Sequence, residues 1–166
     1  MAIPISFSRF LLGACAILSV SAACAADWAN YQTRPYGFSM LIPAGVSVRE
    51  QEWGGGWGGM SAEFEGVRLY GRAKLGAQET DAAIENYALG VIGIPAGAWT
   101  RIDQGTNERG WNRYRTFRAT VGSKLVFGAY GVGAKGNYLL YLETTAADYA
   151  AHRADYEKWY ESIRLD

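Results

Sequence analysis

Hydrophobic and polar positions change rhythm several times along this chain, and each change marks an element. Tyr36-Gly37-Phe38-Ser39-Met40-Leu41-Ile42-Pro43 is an apolar run closed by a turn at Pro43-Ala44-Gly45, which predicts a strand, and Val46 to Glu52 can form a second. Val67, Leu69, Gly71 and Ala73 then alternate with Arg68, Tyr70, Arg72 and Lys74. That period of two predicts a strand with one buried and one wet face, placed toward an edge or an open face. A helix follows, with Thr80 as N-cap, Asp81 in its first turn and Ile84, Tyr87, Ala88 and Val91 at helical spacing, ended by Gly90, Gly93 and Pro95.

Beyond it the pattern predicts a strand near Trp99 to Ile102 and a long one from Trp111 to Val121. A turn at Gly122-Ser123 leads into Lys124 to Val132, and a hairpin at Gly133 to Asn137 returns into Tyr138 to Thr144. The last two strands are apolar on both faces: Leu125, Phe127 and Ala129 against Val126, Tyr130 and Val132, then Tyr138, Leu140 and Leu142 against Leu139 and Tyr141. A strand of that kind has to be covered on both sides, so these two belong at the centre of a sheet. Thr145-Ala146-Ala147-Asp148 opens a terminal helix to about Arg164, with Tyr149, Tyr156, Trp159, Tyr160 and Ile163 on an aromatic stripe and Arg153, Glu157, Lys158 and Glu161 on the solvated side. Hence the expected class is α+β, a single domain over residues 26–166 with a central antiparallel β-sheet flanked by helices.

Residues 1–25 stand apart. Arg9 precedes an 11-residue apolar run, Phe10 to Val20, and Ala23-Cys24-Ala25 has the small-x-small form of a cleavage site. A membrane-spanning helix needs about 20 apolar residues, so this reads as a secretory signal peptide cleaved after Ala25. Nothing later in the sequence is apolar for long enough to span a bilayer, and the expected location is the periplasm or the outside. Leu12-Gly13-Ala14-Cys15 resembles a lipobox, but its apolar region would be very short, and Cys24 lacks the large apolar residue a lipobox needs; lipidation is disfavoured. Cys15 and Cys24 are the only cysteines, so the exported chain can form no disulfide although its compartment would permit one. Its stability must come from a packed core. Without Arg9 the 16 basic residues become 15 against 16 acidic ones, a near-neutral balance that points to no nucleic-acid partner.

The strand and turn Tyr36 to Pro43, the ending Tyr138-Leu139-Leu140-Tyr141-Leu142-Glu143-Thr144-Thr145, and Asp148-Tyr149 before a helix that ends Tyr160-Glu161-Ser162-Ile163 together resemble the PsbP/DcrB-like family. The order of elements agrees over most of the exported chain. This resemblance implies an α/β/α sandwich, a sheet between helices, and a habit: family members are mostly non-enzymatic accessory or binding proteins, many of them exported. It implies no catalytic residues. Where the family has Ser-Phe near its end, this chain has Ser162-Ile163.

Gly54-Gly55-Gly56-Trp57-Gly58-Gly59-Met60-Ser61 spaces its glycines like a phosphate-binding loop, but Met60 stands where that loop needs lysine, and the residues after it lead into a strand. Trp53 and Trp57 beside these glycines are either side chains folded back on the core or a ligand-binding lip for a sugar, lipid or peptide. Arg113 and Arg115, expected on one strand face with Trp111 and Phe117, either cover the sheet and pair with carboxylates or form an anion-binding patch. His152 is the only histidine, which leaves no metal site of the histidine–cysteine kind; Asp148 and Asp155 flank it at helical spacing as charge partners. No serine sits in a nucleophile elbow.

Glu50, Glu52, Glu63 and Glu65 flank the glycines, and a carboxylate pair there would suggest glycoside hydrolysis. The reading that follows is a non-catalytic binding or accessory protein of the cell envelope, without cofactor, partnered by an envelope protein complex or a small ligand. A cell-wall glycan hydrolase and a small secreted inhibitor or immunity protein are the alternatives.

Overall fold

The computed structural model describes residues 27–166; the signal-peptide and lipidation expectations fall on residues outside them. Among the described residues ten strands form two antiparallel sheets. The small sheet has β2 (Phe38–Pro43) between β1 (Trp28–Thr33) and the two-residue β10 (Arg164–Leu165). In the large sheet β3 (Val48–Gly54), β4 (Trp57–Phe64), β5 (Val67–Leu75), β9 (Gly136–Thr145), β8 (Lys124–Gly133), β7 (Trp111–Val121) and β6 (Trp99–Glu108) lie side by side in that order. The two strands that are apolar on both faces, β8 and β9, are central, as their sequence requires.

The expected α+β sandwich with helices flanking the sheet is not what forms. Strands dominate, and only three short α-helices occur among the described residues: α1 (Asp81–Ile92), α2 (Ala146–Ala151) and α3 (Arg153–Ser162). One core layer places Phe38, Met40 and Ile42 of the small sheet, together with Tyr149, Tyr156 and Trp159 of α2 and α3, against Met60, Leu69, Phe127, Leu140 and Leu142. This face is therefore covered as much by strand as by helix. The other layer places Ile84, Ala88 and Ile92 of α1 against Phe117, Val126, Tyr130, Leu139 and Tyr141.

Two local causes account for the difference. Residues 28–33, a polar lead with little apolar content, gain their strand by pairing with β2 from Trp28↔Pro43 to Thr33↔Phe38. The single terminal helix breaks at His152, which leaves helical geometry at φ −117°, ψ 23° and separates α2 from α3.

Helix caps follow the sequence closely. Thr80 Oγ1 accepts from Ala83 N at 3.2 Å, and Gly93 ends α1 in the left-handed region at φ 69°. Thr145 Oγ1 accepts from Asp148 N at 3.1 Å at the start of α2. No helix of the described residues is long and apolar enough to cross a membrane.

Candidate functional site

The glycine-rich stretch is a β-hairpin. Gly55 and Gly56, both with positive φ (61° and 80°), make the two-residue turn between β3 and β4, the backbone that a tight hairpin of matched twist demands. Gly58 and Gly59 are already in strand, paired with β5. No helix N-terminus follows, so the stretch has no anion cradle.

The hairpin separates its two tryptophans. Trp57 is buried, its indole stacked on Tyr87 of α1 with ring centres 4.0 Å apart and planes 5° from parallel. Trp53 is half-buried on β3, and its ring lies over the guanidinium of Arg72 at 4.2 Å. Trp57 thus plugs the core layer under α1, while Trp53 alone is left near the surface.

Arg72 was legible in the sequence only as one polar position of an alternating strand. It is 7 % exposed. Nη1 donates to Tyr87 Oη at 3.1 Å, and Nε, also buried, has no hydrogen-bond partner. Tyr70, stacked on Tyr141 with ring centres 4.7 Å apart, walls one side of it, 5.6 Å from the guanidinium.

The strand carrying Arg72 is internal, between β4 and β9, yet its polar face is open as the alternation implied. Because α1 packs on β8 and β9, the same face of β3, β4 and β5 is left to Arg49, Gln51, Ser61, Glu63, Arg68 and Tyr70, all exposed or half-buried. A depression of about 310 Å³ lies among Arg49, Ser61, Glu63, Arg68 and Tyr70.

Arg113 and Arg115 converge on one carboxylate at the other end of the sheet. Arg113 Nε donates to Asp81 Oδ1 at 2.7 Å and its Nη2 to Glu79 O at 2.6 Å; Arg115 Nε donates to Asp81 Oδ2 at 3.1 Å and its Nη1 to Gln104 Oε1 at 2.9 Å. A depression of about 370 Å³ opens beside them, walled also by Thr106 and Tyr114. Trp111 does not share their face. A bulge at Asn112, where Trp111 pairs with Gly133 but Arg113 with Val132, turns Trp111 into the layer under the small sheet, whereas Phe117 stays with the arginines on the α1 side.

Burial raises the Asp81 carboxyl, but the hydrogen bonds and charges of Arg113 and Arg115 outweigh it and hold its pKa below the usual carboxylate range. A depressed folded pKa contributes stability that is complete above the unfolded value and lost as pH falls through the folded one. Asp81→Asn is therefore expected to destabilise the protein by about 1–2 kcal/mol at neutral pH, as for a partly exposed charge network at a helix N-terminus. Urea titrations should show the gap to wild type closing only below about pH 4; a gap unchanged at pH 2 would show that the carboxylate charge is not what matters.

The sheet order places the two arginine groups on opposite sides of β9 and β8, so Trp53 and Trp57 do not form one site with Arg113 and Arg115. The four glutamates do not converge either. Glu50 and Glu52 share the β3 face opposite Met60 and Gly58, under the small sheet, where Glu50 accepts from Tyr31 Oη at 2.7 Å. Glu63 faces the α1 side and pairs with Arg68 at 3.4 Å, and Glu65 sits in the β4–β5 turn. His152 lies 3.8 and 3.9 Å from Asp148 and Asp155.

No protein-family model and no curated protein matches the chain. Among solved structures, the solution structure of cyanobacterial PsbP (CyanoP) from Synechocystis sp. PCC 6803 is similar, with a TM-score of 0.55 and 13% identity over 93% of this chain and 99% of that one. At that identity the likeness is one of fold: the chain has a PsbP-like fold, as its sequence resemblance implied.

Proposed function

We propose that the chain is an exported, non-catalytic binding protein of the cell envelope, accessory to a protein complex, and that it meets its partner through the open half of the large sheet beside Trp53. The observation that carries this reading is the uncovered face of β3, β4 and β5 beside the part of the sheet that α1 covers. Arg49, Arg68, Tyr70 and Trp53 lie there on rigid strands, where arginine and aromatic side chains make the strongest contacts in protein interfaces. The PsbP-like fold, whose known members are mostly accessory proteins, and the signal-like residues 1–25 support it. A glycan hydrolase fits less well, because Glu63 lies on the sheet face opposite Glu50 and Glu52, and Glu50 is already engaged by Tyr31 Oη.

The test is co-purification from envelope extract with wild type and with the double variant Arg49→Glu/Arg68→Glu, both partly exposed positions where a charge reversal spares the core. Wild type should retain a defined partner, the variant should lose it, and the captured chain should begin at Ala26 with no lipid. Equal capture by both proteins would rule out this face. Release of fragments from purified cell wall would establish the hydrolase instead.

A further inference from the structure

We infer that Arg72 is a receptor for a carboxylate, supplied by an acidic side chain of the partner, and that Trp53 is the cover this carboxylate displaces. The inference rests on the binding role proposed above and names the chemistry at its centre. A buried guanidinium needs an anion or a full set of acceptors, since an uncompensated buried charge is costly. Arg72 has neither: of its five N–H donors, one is bonded to Tyr87 Oη and the buried Nε is unbonded.

The neighbouring carboxylates are engaged by other cations: Glu63 by Arg68 at 3.4 Å, Glu79 by Lys74 at 2.6 Å, Glu143 by Lys124 at 2.8 Å and Glu85 by Arg101 at 2.7 Å. Arg72 is in no ion pair among the described residues, so this face holds a prepared cation without its anion.

What now covers Arg72 is replaceable. An indole over a guanidinium makes one cation–π contact and accepts no hydrogen bond, whereas a carboxylate offers a planar, charge-assisted pair of acceptors to the same fork. Trp53 lies where the β3–β4 register shifts, between Glu52 and Gly54, next to three glycines of positive φ. A side chain added at Gly54 would meet nothing within 4 Å, so the surface beside Trp53 is open at the hairpin end. A carboxylate suits the site better than a phosphate dianion, because one uncompensated cation is buried here. Arg49, exposed on the same face and in no ion pair among the described residues, can steer an acidic segment inward.

Side-chain NMR on the ¹⁵N-labelled chain reads the Arg72 Nε–Hε group directly. Titration with N-acetylglutamate N-methylamide should shift this signal saturably, and the neutral glutamine analogue should not. Trp53→Ala, which removes the cover and leaves the fold intact, should bind the glutamate probe several-fold more tightly, and Arg72→Lys should lose the saturable response at Tyr70 and Tyr87. Equal shifts from the glutamine analogue, preference for inorganic phosphate, or no saturable change in wild type and Trp53→Ala would each overturn the assignment. Should Arg72→Lys not fold, the wild-type and Trp53→Ala titrations still decide. The readout is independent of co-purification: an intact titration when wild type retains no partner refutes the accessory role, and a retained partner without a titration refutes the Arg72 receptor.

Discussion

Gly128→Ala is expected to destabilise the protein by more than about 3 kcal/mol, beyond the usual range for an overpacked core. Gly128 is in the middle of β8, opposite Tyr141 of β9. A Cβ there would stand 2.2 Å from the carbonyl oxygen of Leu140 and 2.7 Å from Cα of Tyr141. Those are backbone atoms of the central strand, fixed by hydrogen bonds to β5 on one side and β8 on the other, so no rotamer change relieves the contact. Of a typical total of about 5–15 kcal/mol, such a loss leaves little. Gly90→Ala is the matched control: Gly90 is exposed in α1, nothing lies within 4 Å of its added Cβ, and the helix should gain up to about 1 kcal/mol. Urea midpoints of the two variants should move in opposite directions; a Gly128→Ala protein as stable as wild type would mean that β8 and β9 are not held as described.

Trp57→Ala should cost about 3–5 kcal/mol, the range for removing a large aromatic from a core, while Trp53→Ala should stay within about 1 kcal/mol, as for a half-buried side chain with one cation–π contact. Trp57 is 4 % exposed and forms the floor on which Tyr87 of α1 rests; its removal leaves a cavity under the helix and frees Tyr87, a hydrogen-bond acceptor of Arg72. Thermal and urea unfolding of the two single variants separates the roles. Similar losses for both, large or small, would contradict the division of the hairpin into a core plug and a surface cover.

The elements that were legible in the sequence are those whose evidence is local. Thr80 and Thr145 cap helices with their own side chains, and β8 and β9 are apolar on both faces whatever lies beside them, so these needed no tertiary information. Elements that depend on a distant partner were not legible: Arg164 and Leu165 are a strand only because Ser39 and Phe38 lie alongside. Helix α1 was placed well but its neighbour at 57–64 was not, because glycines at 58 and 59 hide a strand that tight packing against Tyr36 and the β5 backbone explains. The single-residue bulge at Asn112 reversed the facing of Trp111, an outcome that periodicity cannot foresee. Arg72 escaped notice for a related reason: its alternating position marked it as wet, and only the hairpin that folds Trp53 across it makes it a buried charge.

The two margins of the large sheet bear on how the protein behaves at high local concentration. Strand β6 is exposed or half-exposed along its whole length, carries Arg101, Asp103, Gln104 and Glu108, and loses register with β7 between Arg101 and Asp103. Strand β3, at the far margin, presents Arg49, Glu50, Gln51 and Glu52 in succession before its own register shift at Trp53. Free strand edges invite further strands from other molecules, and charged side chains with local kinks are what discourages them. Neither margin offers a flat apolar row to a second chain, so crowded copies should stay apart rather than add strand to strand into fibrils, and the sheet's aromatic interior stays closed to its neighbours.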